Sequence, residues 1–147
     1  MWYLYCLVLL AGVANAVQAG QNGALAKSLG WSLSAGLVVA AGTATCILVV
    51  GLLSGRLSLP TMAQALEVPW WAWFGGVLGG GIVLAQLLVA RQIGAAPFLG
   101  MLVTAGVVTS ILLDHFGWIG FERHPATVWR ILGGLLMIGG VALVATS

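Results

Sequence analysis

Charged residues are few in this chain and widely spaced, and their spacing constrains it more than any other feature. Lys27, Arg56, Glu67, Arg91, Asp114, Glu122, Arg123 and Arg130 are its only Lys, Arg, Asp and Glu residues. Three of the seven intervals between them, and the stretches before Lys27 and after Arg130, are apolar and about as long as a membrane-crossing helix, which needs about 20 mainly apolar residues. A water-facing surface cannot be built from such intervals: soluble domains carry about 25% charged residues, and here the share is 5%, with 61% hydrophobic.

Five spans fit between the charges and the prolines. They cover about residues 2–24, closing at Lys27; 31–54, closing at Gly55 and Arg56; 70–90, ending near Arg91; 95–116; and 128–146. Trp70, Trp71 and Trp73 open the third at headgroup level. Pro97 falls in the first turn of the fourth, where a missing N–H costs nothing. Barrel strands would alternate apolar and polar residues in segments of about ten, and these runs are continuous instead. The expected fold is therefore all-α, an integral membrane bundle of about five transmembrane helices forming a single transmembrane domain over residues 1–147.

Residues 57–69, LSLPTMAQALEVP, are too short and mixed to span, and read as an interfacial turn of helix that ends before Pro69. Ala14-Asn15-Ala16 resembles a secretory cleavage site, but no Lys or Arg precedes Lys27, so the first segment is expected to stay in place as a span. Without a hydrophobic drive between helices in lipid, small residues four apart let backbones approach. Gly75-xxx-Gly79 and Gly76-xxx-Gly80 are accordingly expected to mark helix crossings, with Gly133, Gly134, Gly139 and Gly140 punctuating the fifth span.

Several function classes drop out. A formal net charge of +2 is too small to neutralise a phosphate backbone, so nucleic acid is not an expected partner. Cys6 and Cys46 lie in apolar runs with no paired spacing and no His cluster nearby, which indicates neither a disulfide framework nor a metal site. No nucleophile stands beside a base and no phosphate-cradling Gly-Lys-Ser loop is present, so neither catalytic residues nor a cofactor are expected and the chain does not read as an enzyme.

Polar residues inside the spans carry the remaining information. Asn15, Gln18 and Asn22 recur at i, i+3 and i+7, which puts three amides on one face of the first helix, with Gln21 outlying. Facing lipid, their donors and acceptors would go unpaired, so the stripe is expected to look into the bundle or a water-filled cavity. Gln86, inside the third span, lies at about the depth of Gln18 because the two helices run the same way. A polar substrate pocket is expected between these helices, on the side of Lys27 and Arg91, with aromatic residues such as Trp73 flanking it. The alternative is helix-to-helix adhesion, with such bonds worth roughly 0.6 kcal/mol each.

Asp114 and His115 fall in the last turn of the fourth span, where a carboxylate opposes the helix dipole unless compensated. They read as a structural cap or an ion pair involving His115, Arg123 or Arg130, or else as a proton-coupling group. Asp114 and Gln18 lie at opposite ends of one subunit, and an antiparallel partner would bring them to similar heights.

Alternating spans set Lys27 and Arg91 on one face of the membrane and Arg56, Arg123 and Arg130 on the other. That is nearly no bias, and the orienting rule works by excess Lys and Arg in short loops. Either orientation is open to the chain, so two copies can pair head to tail as an antiparallel homodimer of dual topology, reproducing the inverted repeat of longer transporters. A paired homologous five-helix subunit of opposite bias is the competing arrangement.

Gln18 and Asn22 in the first span, the run PWWAWFGG from Pro69 to Gly76, Asp114-His115-Phe116-Gly117 after the fourth, and Arg130 with Gly133 in the fifth together resemble the YdcZ-type branch of the drug/metabolite transporter superfamily. The resemblance covers nearly the whole length. It implies a small multi-pass permease or exporter of the inner (plasma) membrane, working on a small solute by alternating access as a dimer of five-helix units. One departure stands out: the family pattern has a Gly-Gln pair in the fourth helix, whereas Gly106 is followed here by Val107. The chain is also similar in scale to the small multidrug-resistance proteins, which use an acidic residue in the first helix where this chain has amides only. The leading expectation is a secondary transporter of a small organic solute. A non-transporting membrane subunit or scaffold is the alternative, and a channel would want a continuous polar ring rather than one stripe.

Overall fold

A computed structural model of the chain describes residues 2–146. Among these there is no strand, and five helices are long and apolar enough to cross a membrane. The order is α1 (Trp2–Leu29), α2 (Ser32–Leu53), a short α3 (Met62–Glu67), a 3-10 turn (Trp70–Phe74) leading straight into α4 (Gly75–Ile93), α5 (Ala95–Phe116) and α6 (Val128–Thr146). At 1.5 Å per residue the 22 residues of α2 or α5 measure about 33 Å, enough for a hydrocarbon layer of about 30 Å.

Three boundaries follow from local chemistry. The first helix continues to Leu29 rather than stopping near residue 24, with Lys27 in its last turn at the negative end of the helix dipole. Helix α3 occupies the stretch expected as an interfacial turn and is started by a capping box: Gln64 N–H donates to Thr61 Oγ1 and Thr61 N–H donates to Gln64 Oε1. The tryptophan-rich start of the third span is 3-10 rather than α-helical, with Trp70 and Phe74 meeting edge to face. All seven tryptophans, Trp2, Trp31, Trp70, Trp71, Trp73, Trp118 and Trp129, are exposed and stand at or beside helix ends. That is where an amphipathic ring sits between hydrocarbon and water.

The residues up to Arg91 form one compact unit and those from Gln92 onward a second. In the first, α1 and α2 are joined by Gly30 and Trp31 alone. Gly30 takes a φ of 74° while its N–H still donates to Ala26 O, a left-handed conformation that glycine adopts without penalty. The unit's core lies at this end, where Ala26 of α1, Ala35 of α2 and Leu87 of α4 meet, bordered by Leu25, Val83 and Leu84. Two alanines let the three backbones converge, and Leu87 fills the space between them.

Toward the opposite end the packing opens. A Cβ built at Gly12, Gly42, Gly75, Gly76, Gly79, Gly80 or Gly81 would meet nothing within 4 Å. The expectation that the α4 glycine pairs mark crossing points is thus not met within the chain. The three helices converge around Leu87, and Gly79 lies about 12 Å back along α4 from that point.

The second unit is an antiparallel pair. Gly100 of α5 faces Val141 of α6, and Gly134 of α6 faces Val108 and Ile111 of α5. Helix α5 ends on Gly117, left-handed at φ 67°, whose N–H returns to Leu113 O.

A Cβ at Gly100 would stand 3.0 Å from Val141 Cγ2, on a β-branched side chain with little freedom to yield. Gly100→Val is therefore expected to destabilise the folded protein by about 1–3 kcal/mol. Gly79→Ala should leave stability unchanged or raise it, by up to about 1 kcal/mol, from helix propensity alone. Reversible unfolding in mixed micelles compares the two.

Candidate functional site

Helix α1 turns Asn15, Ala19, Asn22 and Ala26 to one side at i, i+4, i+7 and i+11, the spacing of a packed helical face. Ala19, Asn22 and Ala26 are buried and Asn15 half-buried. Opposite them, α4 presents Gln86. Asn22 Nδ2 donates to Gln86 Oε1 at 2.7 Å, and Gln86 Nε2 reaches Asn15 Oδ1 at 3.5 Å, the outer limit of a hydrogen bond. The structure thus brings three of the expected amides together across two spans. Asn22 is 4% and Gln86 2% exposed, so the pair is closed and neither amide faces an open cavity in this conformation. In hydrocarbon, each amide left alone would cost several kcal/mol.

Gln18 is half-buried along the same helix, and among the described residues its side chain has no hydrogen-bond partner. Gln21 is exposed. Trp73 does not join the amides: it is exposed in the 3-10 turn, 13 residues ahead of Gln86 and so about 20 Å away along the helix.

Beside Asn22, Gly23 does what the sequence reading missed. A Cβ there would stand 3.0 Å from Arg91 Cγ and 3.3 Å from Cδ, so the aliphatic stem of Arg91 lies across α1 where the side chain is lacking. No local sequence signal gives this contact, which depends on where α4 crosses α1.

At the far end of the second unit, Asp114 Oδ2 pairs with Arg130 Nη2 at 3.2 Å, with the two side chains 22% and 41% exposed. Exposure of that degree limits such a pair to about 1 kcal/mol at most. Around it, residues 117–127 fold back to satisfy the end of α5. His124 N–H donates to Asp114 O, Arg123 Nε to His115 O, and Ala126 N–H to His115 Nδ1, while Arg130 Nη1 donates to His124 O. Because His115 Nδ1 accepts, its ring proton sits on Nε2 in this arrangement. Asp114, His115 and Arg130 are therefore held in a capping network, with Arg130 at the first turn of α6 as the counter-charge.

Thr104 was not singled out by sequence. Its hydroxyl is buried without a partner, whereas Thr43, Thr45 and Thr146 donate to carbonyls four residues back. It borders two apolar grooves of about 490 and 320 Å³ along the α5–α6 pair, one lined with Gly100 and Gly140, the other with Met101 and Ile138. Nothing in a sequence separates a back-bonded threonine from this one.

Among the described residues no group of His, Cys, Asp or Glu could hold a metal ion. The chemistry available at the amides is neutral: each offers both donors and acceptors, which suits hydrogen bonding to a polar solute or to each other.

Comparison with known proteins agrees with this architecture. Residues 3–143 match the family model described as "Putative inner membrane exporter, YdcZ". The inner membrane protein YdcZ of Escherichia coli (strain K12) is 32% identical over 79 residues, which make up 54% of this chain and 52% of that protein. The match thus spans about half the length of that curated relative. No solved structure matches the chain. With five apolar spans and a family match over nearly its whole length, the chain is a multi-pass inner-membrane protein and belongs to the YdcZ family of the drug/metabolite transporter superfamily.

Proposed function

We propose that the chain is a secondary transporter of a small organic solute, and that Asn15, Gln18, Asn22 and Gln86 form its binding site. The observation that carries this reading is the buried Asn22–Gln86 hydrogen bond between two spans, continued toward Asn15. Interhelical bonds of this kind contribute only about 0.6 kcal/mol each in membranes. An amide pair that weak can exchange its partner for the polar groups of a solute at small net cost, so closing on itself and closing on a solute are nearly isoenergetic. Such a balance is what alternating access requires: the site must open without a large barrier and must not remain unpaired when empty. Gln18, half-buried and unpartnered, supplies a further donor and acceptor on the same helix.

Burial of the pair favours a second reading, in which the amides only fasten α1 to α4 and the chain is a non-transporting subunit. The Asp114–Arg130 pair is assigned a structural role, because the loop around it returns His124 N–H, Arg123 Nε and Ala126 N–H to Asp114 and His115 at the end of α5. For assembly, the near balance of Lys27 and Arg91 against Arg56, Arg123 and Arg130 supports an antiparallel homodimer, and the α4 glycine face, with no neighbour of its own, leaves room for a second copy.

Solute flux screened in proteoliposomes separates the two readings of the amides. Asn22→Leu and Gln86→Leu are expected to lower flux at least about tenfold, a change of about 1.4 kcal/mol, with helical content intact, and Trp73→Leu to leave it within about twofold. Full flux in both leucine variants would contradict the site. For the assembly, cysteines introduced at Ser28 and Ser54, in a protein whose Cys6 and Cys46 have been changed to alanine, should each react with an impermeant thiol reagent from both sides of the membrane; a single reactive side for each would exclude dual topology.

A further inference from the structure

Two cations close the end of the first unit where its core lies, and among the described residues neither has an ionic partner. Arg91 stands five residues past Gln86 on α4, and Lys27 five past Asn22 on α1, so each is about 7.5 Å beyond the amide pair along its helix. Arg91 does not run freely outward. Its stem crosses α1 at Gly23, and Lys27 lies one turn further on the same stripe of that helix, so both cationic residues are placed at one face of one helix end.

The balance of charge here is positive. A helix terminus carries about half an elementary charge, so the C-terminal ends of α1 and α4 contribute about −1, the N-terminal end of α2 about +0.5 and the two side chains +2, leaving about +1.5. No acid of this unit offsets it. Glu67, its only carboxylate side chain, follows the far end of α2, a helix of 22 residues and about 33 Å, well beyond a screening length of about 8 Å at physiological salt. The ion pair found among the described residues, Asp114–Arg130, belongs to the other unit.

From this we infer that Lys27 and Arg91, seated by Gly23, form a site for an oxyanion head group: a carboxylate, sulfonate or phosphate presented either by a free solute or by a lipid. Where the anion is a solute, the site gives the substrate class of the amide pocket and to that extent rests on the transport proposed above. The solute is then a small organic anion whose charged end meets Arg91 and Lys27 while a neutral hydrogen-bonding group, about 7 Å away, reaches Asn22 and Gln86. The cations exclude amines of the same size by like-charge repulsion.

The test uses the full chain in phosphatidylcholine nanodiscs, with benzenesulfonate as the anionic probe and benzyltrimethylammonium as its cationic counterpart, followed by equilibrium binding. Saturable binding of benzenesulfonate but not of the cation is expected, weakened at least about tenfold in Arg91→Gln and in Lys27→Gln, retained in Arg91→Lys, and weakened in Gly23→Leu, which removes the seat of the Arg91 stem. Discs containing phosphatidylglycerol distinguish the sources: if the lipid binds in an Arg91-dependent way and benzenesulfonate does not, the head group held is a lipid's. Absence of both, or binding unchanged in Arg91→Gln, would overturn the inference. Flux that depends on Gln86 without any anion binding would leave the transport reading standing and remove this one, whereas anion binding without Gln86-dependent flux would do the reverse.

Discussion

A polar group inside a bilayer has no water to turn to, and the rest of this structure depends on how that constraint is met. Backbone groups meet it by helix formation throughout the spans. Side chains meet it locally, by threonine hydroxyls donating to carbonyls one turn back and by the closed pair Asn22–Gln86. That pair is set apart from the threonines because its members come from different helices, so it ties the approach of α1 to α4.

Small residues decide where this happens. Ala26 and Ala35 let α1, α2 and α4 converge at one end, and Gly23 admits Arg91 beside the amides. The same helices carry glycines at the other end that touch nothing in the chain. Polar, tight and positively charged at one end and apolar and open at the other, the first unit is asymmetric along its helices. The second unit is different in kind: two helices packed glycine to side chain, with a polar cap at the α5–α6 loop and an unpaired Thr104 hydroxyl at its centre.

The five spans could be read directly, because eight charges in an apolar sequence mark segment lengths that only a membrane explains. The amide stripe was legible for the same reason, but its partner at Gln86 was less so. Counting depth from a span of residues 2–24 matches Gln86 to Gln18, whereas its observed partner is Asn22, about one turn further along α1, because the depth at which two helices cross is set by their packing and not by counting from span midpoints. Trp73 was assigned to the pocket on its aromatic character alone; the 3-10 turn and the length of α4 keep it near the opposite end. Glycine spacing announces a surface that another backbone can approach, without saying whether that backbone belongs to the same chain. Arg91 over Gly23 depends on the crossing of two helices distant in sequence, and no local pattern encodes it.

The central claim is that the amide pair opens to water during the working cycle instead of remaining a permanent fastening. Ala19, buried at 3% exposure on the same face between Asn15 and Asn22, reports on this when replaced by cysteine in a protein whose Cys6 and Cys46 have been changed to alanine. The account predicts that a membrane-impermeant thiol reagent modifies that cysteine in the folded protein in liposomes, and that a transported solute slows the reaction. A cysteine at position 19 that never reacts while the protein is catalysing flux would contradict it.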